Sequence, residues 1–276
     1  DRCPLAFFWR TLCGRIDARG RWGTTPQPSV RGSERQPFEE PAGFKAGDSQ
    51  SGKSASLCAS HDSARTRTLI VNPDMNYRDF GGHFQRSKVE SNHDYRIDRG
   101  GPADAATHRL MATFQMTYPG APMIYYGDEV GMTGANDPDC RKPMLWDEIT
   151  YAPEAVHPVE GRQRPAEENV ADRELREFYR RLIHLRRAEP ALRRGVFRPI
   201  LVDDERRLYG FERRLDEETI VVFFNVGEIE AAAGITVAEG EWRELLGAGA
   251  TFEAAAGLLT VPLAPRSARI VKRAGS

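Results

Sequence analysis

The spacing of apolar residues changes near residue 195, and this change constrains the fold more than any other feature. Before it, apolar residues recur at helical spacing over residues 103–118 and 172–188. After it, short apolar runs alternate with turn residues: FRPILV, RLYGFERRL, TIVVFFNV, AGITV, LLTVPL and ARIVKR. Such runs predict short antiparallel strands, so residues 196–276 are expected to form an all-β sandwich.

The residues between 57 and 195 are predicted to be α/β. Pro102 and Asp104 mark the start of a helix over residues 103–118, and its apolar face carries Leu110, Met111, Phe114 and Tyr118. MIYY at 123–126 is an apolar run of strand length, as in parallel strands buried on both faces. LCAS at 57–60 predicts a second short buried strand.

The helix at 172–188 has one apolar side and one side rich in arginine. The predicted apolar residues are Leu175, Phe178, Tyr179, Leu182, Ile183 and Leu185. Residues 1–56 are rich in Gly, Arg, Ser, Pro and Gln. Their apolar residues recur neither at the helical period of 3.6 nor at the strand period of 2, so this segment is predicted to be irregular. The expected organisation is therefore 1–56 irregular, 57–195 α/β and 196–276 all-β.

Net charge, the length of apolar runs and the spacing of cysteines limit the partners and the cellular compartment that are expected for this chain. The formal net charge is −1, which gives no reason to expect nucleic acid or an anionic membrane as a partner. No apolar run approaches the roughly 20 residues of a membrane helix, so no membrane span is expected. The four cysteines form no CxxC pair, which predicts neither a zinc site nor a disulfide framework and favours a reducing, cytoplasmic location.

Residues 47–54, GDSQSGKS, fit the phosphate-loop pattern G-x-x-x-x-G-K-[ST]. In a nucleotide-binding protein, Lys53 and Ser54 would contact phosphate and magnesium. That geometry needs a buried strand before the loop and a helix after it, whereas FEEPAGFKA precedes this loop and SASLCAS follows it. A chance match is therefore the preferred interpretation.

The segment TYPGAPMIYYGDEVGMTGANDPDCRKPMLWDE at 117–148 resembles the last barrel strand and following loop of the α-amylase family of glycoside hydrolases. It is most similar to the neopullulanase, cyclomaltodextrinase and maltogenic amylase branch, over about residues 57–273. The resemblance implies the C-terminal part of a (β/α)₈ TIM barrel followed by an antiparallel β-sandwich. It also implies an α-glucan or malto-oligosaccharide substrate.

The stretch SHDSAR at 60–65 resembles the family motif that follows barrel strand seven. The resemblance implies that Asp62 grips the sugar 2- and 3-hydroxyls in an oxocarbenium-like transition state and that His61 helps to hold the sugar. Arg65 would orient the carboxylates by charge-assisted hydrogen bonds. A second pair, His93 and Asp94, is kept as the alternative.

The loop NDPDCR supplies two further candidates. By resemblance, Asp137 and Arg141 hydrogen-bond glucose units away from the scissile bond, and a mutual salt bridge is an equally open interpretation. Asp128 and Glu129 of GDE are expected to hold loop structure rather than perform chemistry. Core packing is expected for Tyr125 and Tyr126, although these rings and Trp146 could stack on sugars. No metal site or cofactor is predicted, and the sequence leaves calcium binding undecided.

Retaining glycosidases need two more carboxylates, a nucleophile and a general acid about 5 Å apart. A complete barrel takes about 250 residues, and the 56 residues before Leu57 cannot hold six β/α units. Asp17 in GRIDA and the Glu39–Glu40 pair match the missing motifs only weakly. The expectation is a glycoside hydrolase present as an incomplete, inactive chain. The alternative is a carbohydrate-binding or structural fragment without catalysis.

Overall fold

A computed structural model describes residues 55–57, 59–73, 89–90, 92–159 and 161–275. The α/β part contains β1 (Ala55–Leu57), α1 (Thr66–Val71), α2 (Pro102–Thr117), β2 (Ala121–Met123), β3 (Glu154–Val156), β4 (Gln163–Glu167), α3 (Arg173–Ala188) and α4 (Pro190–Arg194). The strands that follow are β5 (Val196–Asp203), β6 (Leu208–Leu215), β7 (Glu218–Asn225), β8 (Ala231–Thr236), β9 (Gly240–Glu244), β10 (Thr251–Ala254), β11 (Leu258–Leu263) and β12 (Ser267–Arg273).

Strands β1 and β2 pair in parallel, with Ala55 opposite Ala121 and Leu57 opposite Met123. Both predicted strands were therefore placed too late in the chain, and the predicted irregular segment 1–56 overlaps β1 at its last two residues. The two strands pair over three residues each and end at the same level. The prediction that residues 123–126 are buried on both faces is also wrong, because Met123 is 48% exposed and Tyr126 is 39% exposed.

In the described residues, the parallel sheet has these two strands, and they do not close a barrel, which needs eight. Helices α1 and α2 follow β1 in the chain, and α2 packs against α1 and α3. None of the described helices has the length and apolar character required to span a membrane. The remainder of the predicted irregular segment, residues 1–54, lies outside the described residues.

Helix α2 begins at Pro102, one residue before the predicted start, and the Asp104 carboxylate accepts a hydrogen bond from the Gly101 N–H at 2.8 Å. From His108 to Thr117, every residue of the helix except Arg109 is buried. In α3, Leu175, Tyr179 and Leu182 are buried as predicted, but Ile183 is exposed and Arg186 is buried. Arg186 continues the row at the spacing i, i+4, i+7, i+11, which places it on the inner face.

The strands after residue 195 form a six-stranded antiparallel sheet in the order β10-β9-β12-β7-β6-β5, and β8 pairs with β11. Strands β9 and β10 were not predicted. Their sequences, GEWRE and TFEA, are too short and too charged to stand out as apolar runs. Pairing of β9 with β12 and with β10 places Trp242 and Ala254 in the core, while Glu241 and Glu253 are exposed.

The six-stranded sheet is buried on both faces along β7. One face carries Val221 and Phe223, which pack with residues of β8 and β11 in a core between the two sheets. The other carries Ile220, Val222 and Phe224, which pack on the helices α2, α3 and α4. The continuous apolar run TIVVFFNV therefore reflects burial on both faces.

Candidate functional site

The predicted site residues of two separate segments meet in one exposed cluster, which we call the Asp62 cluster: His61, Asp62, Asp137 and Arg141. His61 and Asp62 follow the end of β1, and Asp137 and Arg141 lie in the loop that follows β2. Since β1 and β2 are parallel, their carboxyl ends lie at the same edge of the sheet. In barrel enzymes, active sites form at this edge.

Arg141 is the centre of the cluster. Its Nη2 lies 3.2 Å from Asp62 Oδ1, and its Nε lies 2.8 Å from Asp137 Oδ1. The same Nε donates to the His61 carbonyl oxygen at 3.0 Å, and His61 Nε2 lies 3.1 Å from Asp62 Oδ2. The His61 and Asp62 side chains are 67% and 68% exposed, so a ligand can reach both from solvent.

Local hydrogen bonds hold the His61–Asp62 turn. The Ser60 N–H donates to the Ser63 hydroxyl at 3.0 Å, and the Asp62 N–H donates to the Ser60 hydroxyl at 3.2 Å. The Cys140 thiol donates to the His61 carbonyl oxygen at 3.1 Å. This contact ties the turn to the loop after β2. Cys140 was not predicted as a site residue, and its position beside Arg141 in DPDCR is the one sequence signal that marks it.

Arg65 lies in the interior, beneath the exposed cluster. Its side chain has no exposed area, and its guanidinium carbon stands 4.7 Å from the centroids of both the Tyr125 and the Tyr126 ring. The guanidinium also donates to the Tyr126 carbonyl oxygen and lies 3.9 Å from Asp128 Oδ1. In this structure Arg65 therefore faces Asp128 rather than Asp62, and it is placed to support the loop after β2 rather than to contact a sugar.

Asp128 of the GDE triplet contacts the start of α1 and holds loop structure, the role expected for it. Its Oδ2 accepts a hydrogen bond from the Thr66 hydroxyl at 2.5 Å, at the first residue of α1. A carboxylate at a helix N-terminus satisfies donors there. Burial raises the pKa of the Asp128 carboxyl to about 7, against the opposing effects of the Thr66 hydrogen bond and the Arg65 charge. Thr66 was not predicted as a site residue, and because its hydroxyl donates to Asp128 instead of capping the helix, no capping signal marks it.

The alternative pair, His93 and Asp94, lies in an exposed turn in which the Asp94 N–H bonds to Asn92 Oδ1 at 3.1 Å. Within the described part of the chain, neither side chain contacts the Asp62 cluster. Arg96, which follows them, pairs instead with Asp98 at 2.6 Å. Trp146 is 56% exposed. The remaining candidates, Asp17, Glu39, Glu40, Lys53 and Ser54, lie outside the described residues.

The described residues hold no group of three or more His, Cys, Asp or Glu side chains with the spacing of a metal site. The acidic residues of the cluster are instead bridged by Arg141. Cys140 is a buried free thiol, and burial raises its pKa above the ordinary value.

Comparison with known proteins identifies relatives of this chain. The family model described as the α-amylase catalytic domain matches residues 48–195, more than half of the chain. That match includes all but the first residue of the phosphate-loop pattern. Neopullulanase 2 of Thermoactinomyces vulgaris is 43% identical over 124 residues, 45% of this chain and 18% of the relative. A cyclomaltodextrinase of Geobacillus thermopakistaniensis is 36% identical over 163 residues, 59% of this chain and 24% of the relative.

Solved structures agree with this assignment. A cyclomaltodextrinase structure superimposes with a TM-score of 0.53 at 26% identity, over 79% of this chain and 29% of that chain. An Anoxybacillus α-amylase gives a TM-score of 0.60 at 21% identity, over 83% of this chain and 39% of that chain, and shows the similarity of fold alone. The chain spans about a fifth of the length of the curated relatives it matches. The chain belongs to the α-amylase family of glycoside hydrolases.

Proposed function

We propose that this chain contributes the transition-state carboxylate and neighbouring sugar contacts to an α-glucan-acting, retaining glycoside hydrolase. The observation that carries the proposal is the Arg141 bridge, which joins Asp62 and Asp137 at the carboxyl ends of two parallel strands. The names of the relatives, neopullulanase and cyclomaltodextrinase, support an α-glucan as the substrate class.

In the proposed mechanism, Asp62 accepts hydrogen bonds from two adjacent sugar hydroxyls. These bonds strengthen as the ring gains positive charge, so they lower the barrier more than they tighten ground-state binding. Arg141 fixes the orientation of Asp62 through Nη2, and its contact with Asp137 extends the polar surface toward a neighbouring glucose unit. His61 adds a further donor or acceptor beside the ring.

The nucleophile and the general acid are proposed to come from residues that this chain does not carry. A retaining pair needs two carboxyl groups about 5 Å apart with room for the sugar between them. In the described part of the chain, Asp62 and Asp137 both pair with Arg141, which lies between them in the ion-pair network. We therefore propose that the chain alone does not hydrolyse glucans.

A cytoplasmic location is proposed as well, supported by a relative named intracellular maltogenic amylase.

A chimera tests the proposed role of Asp62 in a complete enzyme. The segment of neopullulanase 2 that matches this chain is replaced by the aligned residues of this chain, and hydrolysis of pullulan and maltotriose is measured. Asp62→Asn is expected to lower kcat by about 100-fold or more, as removal of a preorganised transition-state contact does. The matched control Asp94→Asn is expected to keep activity. The reverse result would transfer the role to His93 and Asp94.

The chain by itself is assayed in parallel on maltotriose, pullulan and cyclodextrin. Release of reducing sugar by the wild type but not by Asp62→Asn would show that the chain holds its own catalytic pair and would make Asp17, Glu39 and Glu40 the candidates. A saturable interaction with maltotriose without hydrolysis is the expected result if the chain binds but does not cut.

A further inference from the structure

The hydroxyl groups of Tyr125 and Tyr126 bond to the backbone on both sides of Arg141. Tyr125 donates to the Cys140 carbonyl oxygen at 3.3 Å, and Tyr126 donates to the Lys142 carbonyl oxygen at 2.7 Å. These carbonyl groups belong to the residues directly before and directly after Arg141 in the chain. Two neighbouring tyrosines therefore hold the backbone on either side of this arginine.

The two tyrosine rings are themselves held by Arg65. Its buried guanidinium carbon stands 4.7 Å from both ring centroids, and its Nη1 donates to the Tyr126 carbonyl oxygen. A planar guanidinium over an aromatic ring is attracted to the π face. The two ring centroids lie 4.7 Å apart in an edge-to-face arrangement, which aromatic pairs prefer. The rings are thus fixed by packing, so their hydroxyl groups keep a constant direction.

Both hydroxyl groups act as donors, because a backbone carbonyl oxygen only accepts hydrogen bonds. Burial raises the pKa of the Tyr125 hydroxyl to about 12. This hydroxyl therefore keeps its proton throughout the neutral range, and its hydrogen bond to Cys140 is present wherever the chain would meet a glucan at neutral pH.

Arg141 needs this support because packing does not hold its side chain. The side chain is 48% exposed, yet it contacts Asp62 Oδ1 at 3.2 Å, Asp137 Oδ1 at 2.8 Å and the His61 carbonyl oxygen at 3.0 Å. An exposed arginine has many rotamers, and holding it in one of them costs conformational entropy. A backbone fixed on both sides of Arg141 limits the positions from which its side chain starts, and this favours the arrangement that reaches all three groups.

We propose that Tyr125 and Tyr126 are positioning residues, whose hydroxyl groups place Arg141 so that Arg141 in turn orients Asp62. The effect on catalysis rests on the proposed function, whereas the placement of Arg141 does not. The tyrosines then serve the glucan site through their hydroxyl groups and the backbone, and not as stacking surfaces for sugar rings. Tyr126, which is 39% exposed, is the ring on which the two roles can be separated.

The placement of Arg141 is measured in the full chain by NMR of the ¹⁵N-labelled arginine Nε–H groups, with the Arg141 signal assigned from Arg141→Lys. Tyr125→Phe and Tyr126→Phe each keep the ring and remove one hydroxyl. Each substitution is expected to shift the Arg141 signal, and the double variant is expected to shift it most. An unchanged Arg141 signal in every folded tyrosine variant would overturn the inference.

Tyr151→Phe is the matched control, because it also removes one tyrosine hydroxyl from the residues after β2. That hydroxyl bonds to the Met144 carbonyl oxygen at 2.8 Å and to the Trp146 N–H at 3.0 Å. The Arg141 signal is expected to keep its wild-type position in this variant. Circular dichroism verifies that each variant is folded, and the partly exposed Tyr126→Phe decides alone if Tyr125→Phe does not fold.

The consequence for catalysis is measured in the neopullulanase 2 chimera. Tyr125→Phe and Tyr126→Phe are each expected to lower kcat about three- to tenfold, the loss of one neutral hydrogen bond. KM is expected to change less, because the proposed contacts of Asp62 strengthen in the transition state.

Two further results in the chimera separate the possible explanations. Loss of activity in Tyr126→Leu that Tyr126→Phe does not share would assign the ring to sugar stacking and overturn the inference. A shifted Arg141 signal in Tyr126→Phe, together with full activity of Asp62→Asn, would support the placement of Arg141 by the tyrosines and overturn the proposed function instead.

Discussion

The guanidinium of Arg213, in β6, donates a hydrogen bond of 2.7 Å to the carbonyl oxygen of Thr117, the last residue of α2. A second hydrogen bond, of 2.9 Å, reaches the Gly195 carbonyl oxygen, directly before β5. Arg213 is 1% exposed, and burial lowers its pKa to about 10. One buried cation therefore joins the end of a helix to the start of the β-sheet.

A second arginine secures the same helix end. Arg186, in α3, donates to the carbonyl oxygens of Met116 at 2.7 Å and Gly120 at 2.6 Å. The last carbonyl groups of a helix have no intrahelical partner, and a cation there also interacts favourably with the helix dipole. Arg213 thus links the end of α2 to the six-stranded sheet, and Arg186 holds the same helix end against α3.

Replacement of Arg213 by methionine is expected to lower the free energy of unfolding by about 3 kcal/mol. The two carbonyl groups that it satisfies would be left buried without donors. Urea denaturation followed by circular dichroism measures the change. The control is Arg214→Met, the next residue on the same strand, which is exposed and should change stability by less than about 0.5 kcal/mol. Equal effects of the two substitutions would contradict the assignment.

Arg65→Lys is expected to lower stability by about 2 kcal/mol although the charge is kept. A lysine ammonium cannot stack on the Tyr125 and Tyr126 rings in the way that a planar guanidinium does. Thermal unfolding measures the effect. Arg96→Lys, an exposed arginine that pairs with Asp98, serves as the control and should unfold at the wild-type temperature. An Arg65→Lys variant that is as stable as the wild type would show that the stacking contributes little to stability.

The folded protein is expected to lose stability as pH rises from about 4 to 7 through Asp128. Its carboxyl has a raised pKa of about 7 in the folded chain, against about 3.9 when unfolded. The folded state therefore binds more protons between these values, and the contribution present at low pH is lost as pH rises through 7. Linkage gives about 4 kcal/mol at most.

Unfolding of the wild type and of Asp128→Asn, measured from pH 4 to 8, isolates this contribution. The variant keeps an acceptor for the Thr66 hydroxyl and carries no titrating group. Its stability should fall less steeply than that of the wild type over this interval. Parallel curves for the two proteins would exclude Asp128 as the source of the pH dependence.

Arg141→Ala is expected to weaken maltotriose binding by about tenfold or more with little effect on the fold. Exposed ion pairs contribute roughly 0 to 1 kcal/mol to stability, whereas loss of Arg141 leaves Asp62 and Asp137 without the group that positions them. Isothermal titration of the chain, or KM in the chimera, gives the affinity. The control Arg198→Ala removes an exposed arginine from a single pair with Glu212. Weakening by both variants alike would indicate a nonspecific charge effect.

Much of the architecture could be predicted from the sequence because the signals are local. Pro102 and Asp104 predicted the start of α2, and the row of Leu175, Tyr179 and Leu182 predicted the inner face of α3. Strands β9 and β10 carried no comparable signal. Their burial depends on pairing with β12, which the spacing of a few charged and apolar residues does not reveal.

For the site, the motif resemblance gave His61, Asp62, Asp137 and Arg141 as candidates, and in the structure Arg141 contacts each of the other three. Their catalytic and substrate roles stay predictions. The resemblance did not indicate which of these residues are buried. Arg65 shows why burial matters for the assignment of a role. A charged residue three positions after Asp62 is expected at the surface, yet two tyrosine rings and Asp128 enclose it.

The sequence by itself indicated helices α2 and α3, the apolar strands after residue 195 and the family, because periodicity and motifs are properties of neighbouring residues. Tertiary structure decided where β1 and β2 end, which arginines are buried, and that Arg141 joins His61, Asp62 and Asp137. These outcomes depend on groups far apart in the chain. Their free energies come from desolvation and from pairing across space, which no local pattern encodes.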